Sequence, residues 1–183
     1  NNTSAVLLHI LPDGRYALGE ADVADETGKS GIETGRLNWN PLTSALSPVI
    51  SVDTNGDYGL SHPDKDGHHR LSYNGTDLVL TDVGSNSTYI LTKVKQSSGL
   101  VGTWQFNQTH LFAFFDTGFY FLLDTEGDCD NPGIEYGKYS ITSNTLAVTE
   151  VLYDTNGCGG LHDTSDSAKV NATYSISGTS LTL

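Results

Sequence analysis

Asp53, Asn55 and Asp57 occupy positions 1, 3 and 5 of Asp53-Thr54-Asn55-Gly56-Asp57, the oxygen-ligand spacing of calcium-binding loops. Two departures weaken the likeness. Glycine comes early, at position 4, and the twelfth position is Asp64, whose side chain is shorter than the bidentate glutamate such loops use. An Asx turn, in which Asp53 and Asn55 bond their own backbone, explains the same residues without an ion.

The segment recurs as Asp154-Thr155-Asn156-Gly157, but there the fifth residue is Cys158. The other cysteine, Cys129, lies in the acidic loop Glu126-Gly127-Asp128-Cys129-Asp130. At an offset of 102 it falls on Thr27, at the loop that carries Asp22, Asp25 and Glu26. Two cysteines in a chain of secreted character are expected to pair. The bridge would span 28 intervening residues and stabilise by roughly 3–4 kcal/mol on the chain-entropy view. If those two loops meet in the second half, repetition brings Asp57 to Asp22, Asp25 and Glu26 in the first. Carboxylates so crowded repel unless a cation sits among them. The expectation is Ca²⁺ in one half where the other has a disulfide.

Glu33 and Glu135 stand in the repeated Gly-Ile-Glu-x-Gly. They could be a general acid and base, but equivalent places in two units do not face each other across a cleft. A structural carboxylate accepting backbone N–H groups from the Asp-Thr-Asn-Gly turn explains both with one device. Of the histidines (His9, His62, His68, His69, His110 and His162), strand alternation sends His68 and His69 to opposite faces. That excludes joint chelation and leaves His62 to partner one of them. There is no C-x-x-C-H, H-E-x-x-H or G-x-S-x-G segment, so a non-enzymatic protein is expected.

These residues sit on a unit that occurs twice. Pro12-Asp13-Gly14-Arg15-Tyr16 matches Asp116-Thr117-Gly118-Phe119-Tyr120, Gly31-Ile32-Glu33-Thr34-Gly35 matches Gly133-Ile134-Glu135-Tyr136-Gly137, and the Asp-Thr-Asn-Gly segments match in turn. The offsets are 104, 102 and 101. Such repetition fixes architecture first. Short β-branched and aromatic runs broken by Gly, Asn, Asp and Pro predict strands near 5–11, 15–20, 33–39, 45–52, 69–73, 77–82 and 88–94. They recur near 101–106, 109–115, 119–124, 135–141, 145–152, 169–176 and 180–183.

The fold class is all-β: two copies of an antiparallel barrel or sandwich unit of about 90–100 residues, residues 1–95 and 99–183. Two full copies need about twenty residues more than 183. Gly102-Thr103-Trp104, which opens the second copy, has no counterpart before Asn1, and 89–94 has none after Leu183. Unpaired margins of this kind invite strand addition, which predicts a homo-oligomer or polymer. His110, Phe112 and Phe114 alternate with Leu111, Ala113 and Phe115, so that strand needs cover on both faces.

Nine Lys plus Arg against twenty-two Asp plus Glu give a formal charge of −13, which repels nucleic acid and anionic lipid. No apolar run approaches the length needed to span a bilayer, so membrane insertion is not expected. Sequons at Asn1, Asn2, Asn74, Asn86, Asn107 and Asn171 are compatible with an extracellular, glycosylated protein.

Together, Gly102-Thr103-Trp104, the Pro-Asp-Gly-x-Tyr hairpin, Gly-Ile-Glu-x-Gly and Asp53–Ser61 resemble tandem β-repeats of bacterial secreted and cell-surface proteins. The resemblance implies a structural building block of a surface assembly or filament. The Gly-x-Trp strand also resembles the opening of lipocalin-type barrels. That likeness implies a carrier of a lipid or pigment, with Trp104, Phe112, Phe114, Phe119 and Phe121 lining its cavity. A third expectation, a carbohydrate-binding adhesin, draws on Trp39, Tyr58 and Tyr73.

Overall fold

A computed structural model describes residues 4–22, 24, 30–56, 59–61, 68–97, 99–126 and 132–183. The described residues contain strands and turns and no helix, and the chain divides into compact units between Lys93 and Val94.

Unit one is a seven-stranded antiparallel meander that curls into a nearly closed barrel. Its strands are β1 (Ser4–Ile10), β2 (Arg15–Asp22), β3 (Gly31–Asn40), β4 (Ala45–Asp53), β5 (His69–Tyr73), β6 (Leu78–Asp82) and β7 (Thr88–Leu91), paired in chain order. Gly14 closes the first hairpin at φ 86°, a left-handed conformation that costs glycine nothing. Alternation along β2 sends Tyr16 and Leu18 inward. There they pack with Leu46, Leu60, Leu71 and Leu80, each large apolar side chain contributing roughly 1.5–3 kcal/mol.

Unit two repeats the plan. Its strands are β8 (Gly102–Phe106), β9 (His110–Phe114), β10 (Phe119–Asp124), β11 (Gly133–Thr142), β12 (Thr145–Asp154), β13 (His162–Asp163), β14 (Ala168–Lys169), β15 (Asn171–Thr173), β16 (Ser175–Ser177) and β17 (Ser180–Thr182). Six of them form a curled sheet in the order β15-β12-β11-β10-β9-β8. Gly118 makes the same left-handed turn as Gly14, at φ 83°. The core gathers Leu100, Phe114, Tyr120, Leu146, Val148 and Leu161. Registers coincide across the copies: Leu8 faces Leu18 as Phe112 faces Leu122, both moved by 104.

The strand spacing read from sequence holds through β12 and loosens after it. The run expected near 169–176 is broken into β14, β15 and β16, because Val170 and Tyr174 donate instead to the Leu161 and Asn144 carbonyls. β13, at His162–Asp163 where no strand was expected, pairs with β14 in a small hairpin. Both ladders carry an irregularity at the same place, between Thr34 and Gly35 and between Tyr136 and Gly137. The other face of β9 and β10 is buried too, through Leu111, Ala113, Phe121 and Leu123.

Candidate functional site

In unit one, β3 carries Glu33 into the interior, opposite Leu18 on β2 and Asp53 on β4. The Tyr16 hydroxyl donates to Glu33 Oε1. The Leu60 amide donates at 3.3 Å, and the Ser61 amide and hydroxyl reach Oε2 at 3.0 and 2.7 Å. The Asp-Thr-Asn-Gly turn delivers these donors. Thr54 is pinned to Ile32 in both directions, its amide on the carbonyl at 2.9 Å and its Oγ1 accepting the Ile32 amide at 2.9 Å. Asp53 Oδ1 accepts the Asn55 and Gly56 amides at 3.1 and 3.0 Å, an Asx turn. Gly59 then passes so close that a Cβ there would press on Glu33 Oε2 and Asn55 Nδ2.

Unit two builds the same cradle. Tyr120 donates to Glu135 Oε1, and the Leu161 and His162 amides donate to Oε2 at 2.9 and 3.2 Å. Thr155 is pinned to Ile134 as Thr54 is to Ile32. Burial pushes Glu135 up to about 7, winning over the Tyr120 hydroxyl and the loop amides, which favour the carboxylate. Burial and the carboxylate raise both tyrosine hydroxyls. Where Ser61 gave a hydroxyl, His162 instead turns Nδ1 to Asp154 Oδ2 at 2.7 Å. Each carboxylate therefore closes a loop within its own unit. Tyr16 and Tyr120 share an offset of 104, the sequence signal that marks them as the partners of the two carboxylates.

The calcium set divides. Asp53 serves its own turn, and Asp22 Oδ1 accepts the Ala24 amide at 3.2 Å. Asn55 is buried, with no hydrogen-bond partner for its side chain among the described residues. Asp25, Glu26 and Asp57 lie outside the described residues, as do His62, Tyr58 and Cys129. Cys158 is not a free thiol.

The five aromatics expected to line a cavity occupy two faces. Phe114 belongs to the core of unit two, and Trp104 and Phe112 pack against it. Phe119 and Phe121 point the other way, each 5.6 Å from the Tyr136 ring. Of the adhesin set, Trp39 donates Nε1 to the Leu71 carbonyl at 2.6 Å, and the exposed Tyr73 donates to the Gly75 carbonyl at 2.7 Å.

One expectation is overturned. His68 and His69 do not part company: their rings pack edge to face with centroids 4.6 Å apart. His68 precedes β5, so strand alternation does not govern it. Its Nε2 lies 2.6 Å from Asp82 Oδ2, and Asp82 is the residue directly opposite His69 in the β5–β6 ladder. One donor atom from each of the three lies within 4.8 Å of the others, the one such His/Cys/Asp/Glu group among the described residues. Unit two has a buried pair of its own, His110 Nε2 at 3.6 Å from Asp124 Oδ2, with Thr109 on His110 Nδ1 at 3.0 Å. Compared with known proteins, no family model, curated protein or solved structure matches the chain.

Proposed function

We propose that the protein is an extracellular, non-enzymatic β-repeat building block that assembles by adding strands at its sheet margins. The supporting observation is a contrast between equivalent strands. In unit two, β8 covers β9, and His110 and Phe114 are 5% and 0% exposed. In unit one, β1 is an outer strand, and the equivalent Val6 and Ile10 are 46% and 37% exposed. The other margin, β7, exposes Tyr89 and Ile90. Open ladders flanked by apolar side chains are templates for another strand.

The repeat supports an extended segment of Gly-x-Trp-x-Phe pattern as the occupant. The β8–β9 register sets Gly102 opposite Phe114, Trp104 opposite Phe112 and Phe106 opposite His110. Moved by 104, the incoming glycine faces Ile10, the tryptophan Leu8 and the phenylalanine Val6. The acidic, turn-rich composition supports an extracellular surface. The division of the five aromatics between two faces gives a carrier reading less support. A Cys129–Cys158 bridge and Ca²⁺ at Asp53, Asn55 and Asp57 with Asp22, Asp25 and Glu26 complete the proposal as stabilising devices. No helix among the described residues is long and apolar enough to cross a membrane.

A fluorescent peptide of residues 99–106 tests the assembly reading by anisotropy. Saturable binding is expected, together with its loss in Val6→Lys and Ile10→Asp. Both sites are exposed, so their melting temperatures should hold within the small range of surface changes. A peptide that fails to bind, or that binds both variants as well as the parent, would sink the proposal.

A further inference from the structure

We infer that His68, His69 and Asp82 form a binding site for a divalent transition-metal cation of the Zn²⁺ type, independent of the assembly reading above. The β5–β6 hairpin builds the site at its open end. His69 and Asp82 are register partners, so their Cβ atoms project from the same face about 5 Å apart. His68 is held beside them because its carbonyl accepts the Val83 amide at 2.8 Å.

Two of the three ligands are already oriented by bonds a ligand needs. His69 Nδ1 sits 3.3 Å from the Leu60 carbonyl. A carbonyl only accepts, so Nδ1 carries the proton and Nε2 keeps its lone pair for a metal. This is the arrangement that outer-shell carbonyls impose on metal-bound imidazoles. Asp82 Oδ1 accepts the Ser85 amide at 2.7 Å, which leaves Oδ2 turned toward His68 Nε2.

Imidazole and carboxylate donors suit Zn²⁺ and its neighbours, whereas Ca²⁺ and Mg²⁺ want oxygen alone. In tetrahedral geometry, nitrogen and oxygen ligands about 2.0–2.1 Å from Zn²⁺ stand roughly 3.3 Å apart. The 2.6 Å His68–Asp82 contact would therefore open slightly, and the widest of the three separations, within 4.8 Å, would close. Three protein ligands leave a fourth position for water or an external donor. Unit two cannot copy the site, because the residues a hundred and one on from His68 and His69 are Lys169 and Val170.

Isothermal titration of the whole chain with ZnCl₂, with MgCl₂ and CaCl₂ alongside, provides the test, and Co²⁺ absorption in the visible reports on the ligand field. One Zn²⁺ per chain is expected at this site, a raised melting temperature, and at least a tenfold loss of affinity in His68→Ala and in Asp82→Asn. Both sites are only partly buried, so these variants should fold where His69→Ala, which removes a bond to the Leu60 carbonyl, could fail to. Absence of saturable Zn²⁺ binding would overturn the inference. Binding that both variants keep unchanged would overturn it as well, by assigning the metal to other histidines.

Discussion

Glu33 and Glu135 hold equivalent positions on equivalent strands, accept a tyrosine hydroxyl at the same oxygen, Oε1, and gather equivalent loops. They differ in one neighbour. Ser61 adds a hydroxyl donor to Glu33, whereas His162 spends its ring on Asp154 and gives Glu135 only its amide. The two copies keep what closes the backbone and vary what surrounds it. Val6 against His110, Asp57 against Cys158 and Arg36 against Lys138 are further cases of the same division.

The backbone half of that contrast should give the largest effects. A Cβ at Gly35 would run into the Val49 carbonyl, and one at Gly137 into the Glu150 carbonyl, both at the ladder irregularity. Backbone cannot step aside as a flexible side chain can. Gly35→Ala and Gly137→Ala should each destabilise by about 3 kcal/mol in urea melts. A cost near zero for either would show that the copies do not share this constraint.

The cradle comes next. Glu33→Gln and Glu135→Gln keep volume but turn an amide NH₂ toward existing donors. Each should cost about 1–3 kcal/mol, with Glu33 at the upper end because Ser61 Oγ is also left unpaired. Ser61→Ala, read by the same melts, should bring the Glu33 cradle toward its sister by about 1 kcal/mol.

Burial also gives Glu135 a pH signature. With its folded value raised from 4.5 to about 7, the folded protein binds the proton more tightly than the unfolded chain does. The associated stability is complete below pH 4.5 and is lost as pH rises through 7, about 3 kcal/mol in all. Denaturation across that window should show the decline in the parent and not in Glu135→Gln. A parallel slope in both would refute the assignment. The smallest effect belongs to the surface. Lys138 contacts Glu150 at 2.6 Å, both well exposed, while Arg36 instead donates to the Asp13 carbonyl at 2.9 Å. Lys138→Gln should change stability by no more than about 0.5 kcal/mol.

Sequence pattern carried most of the fold for a physical reason. Residues such as Tyr120 and Leu122 alternate with Phe119 and Phe121, and Pro12-Asp13-Gly14 has few ways to turn, so local chemistry and long-range pairing agree. The cradle was legible because it occurs twice, which separates Glu33 from an isolated carboxylate. The His68–His69–Asp82 cluster was not legible. His68 lies one residue before the strand, where alternation no longer holds, and Asp82 comes from a ladder partner thirteen positions away that no local motif marks. The five aromatics lie on two surfaces because Phe112 and Phe114 share one face while Phe119 and Phe121 pack against Tyr136.

In unit one, every ladder joins strands that follow one another in the chain. A polypeptide leaving the ribosome could thus lay down each ribbon against the last, with only the crossing from Asp53 to His69 demanding a longer wait. Most closures remain short, which favours rapid growth from the amino-terminal side for a unit whose described residues are strands and turns. The same order of addition would let an outside ribbon join at either rim without unpicking anything already laid.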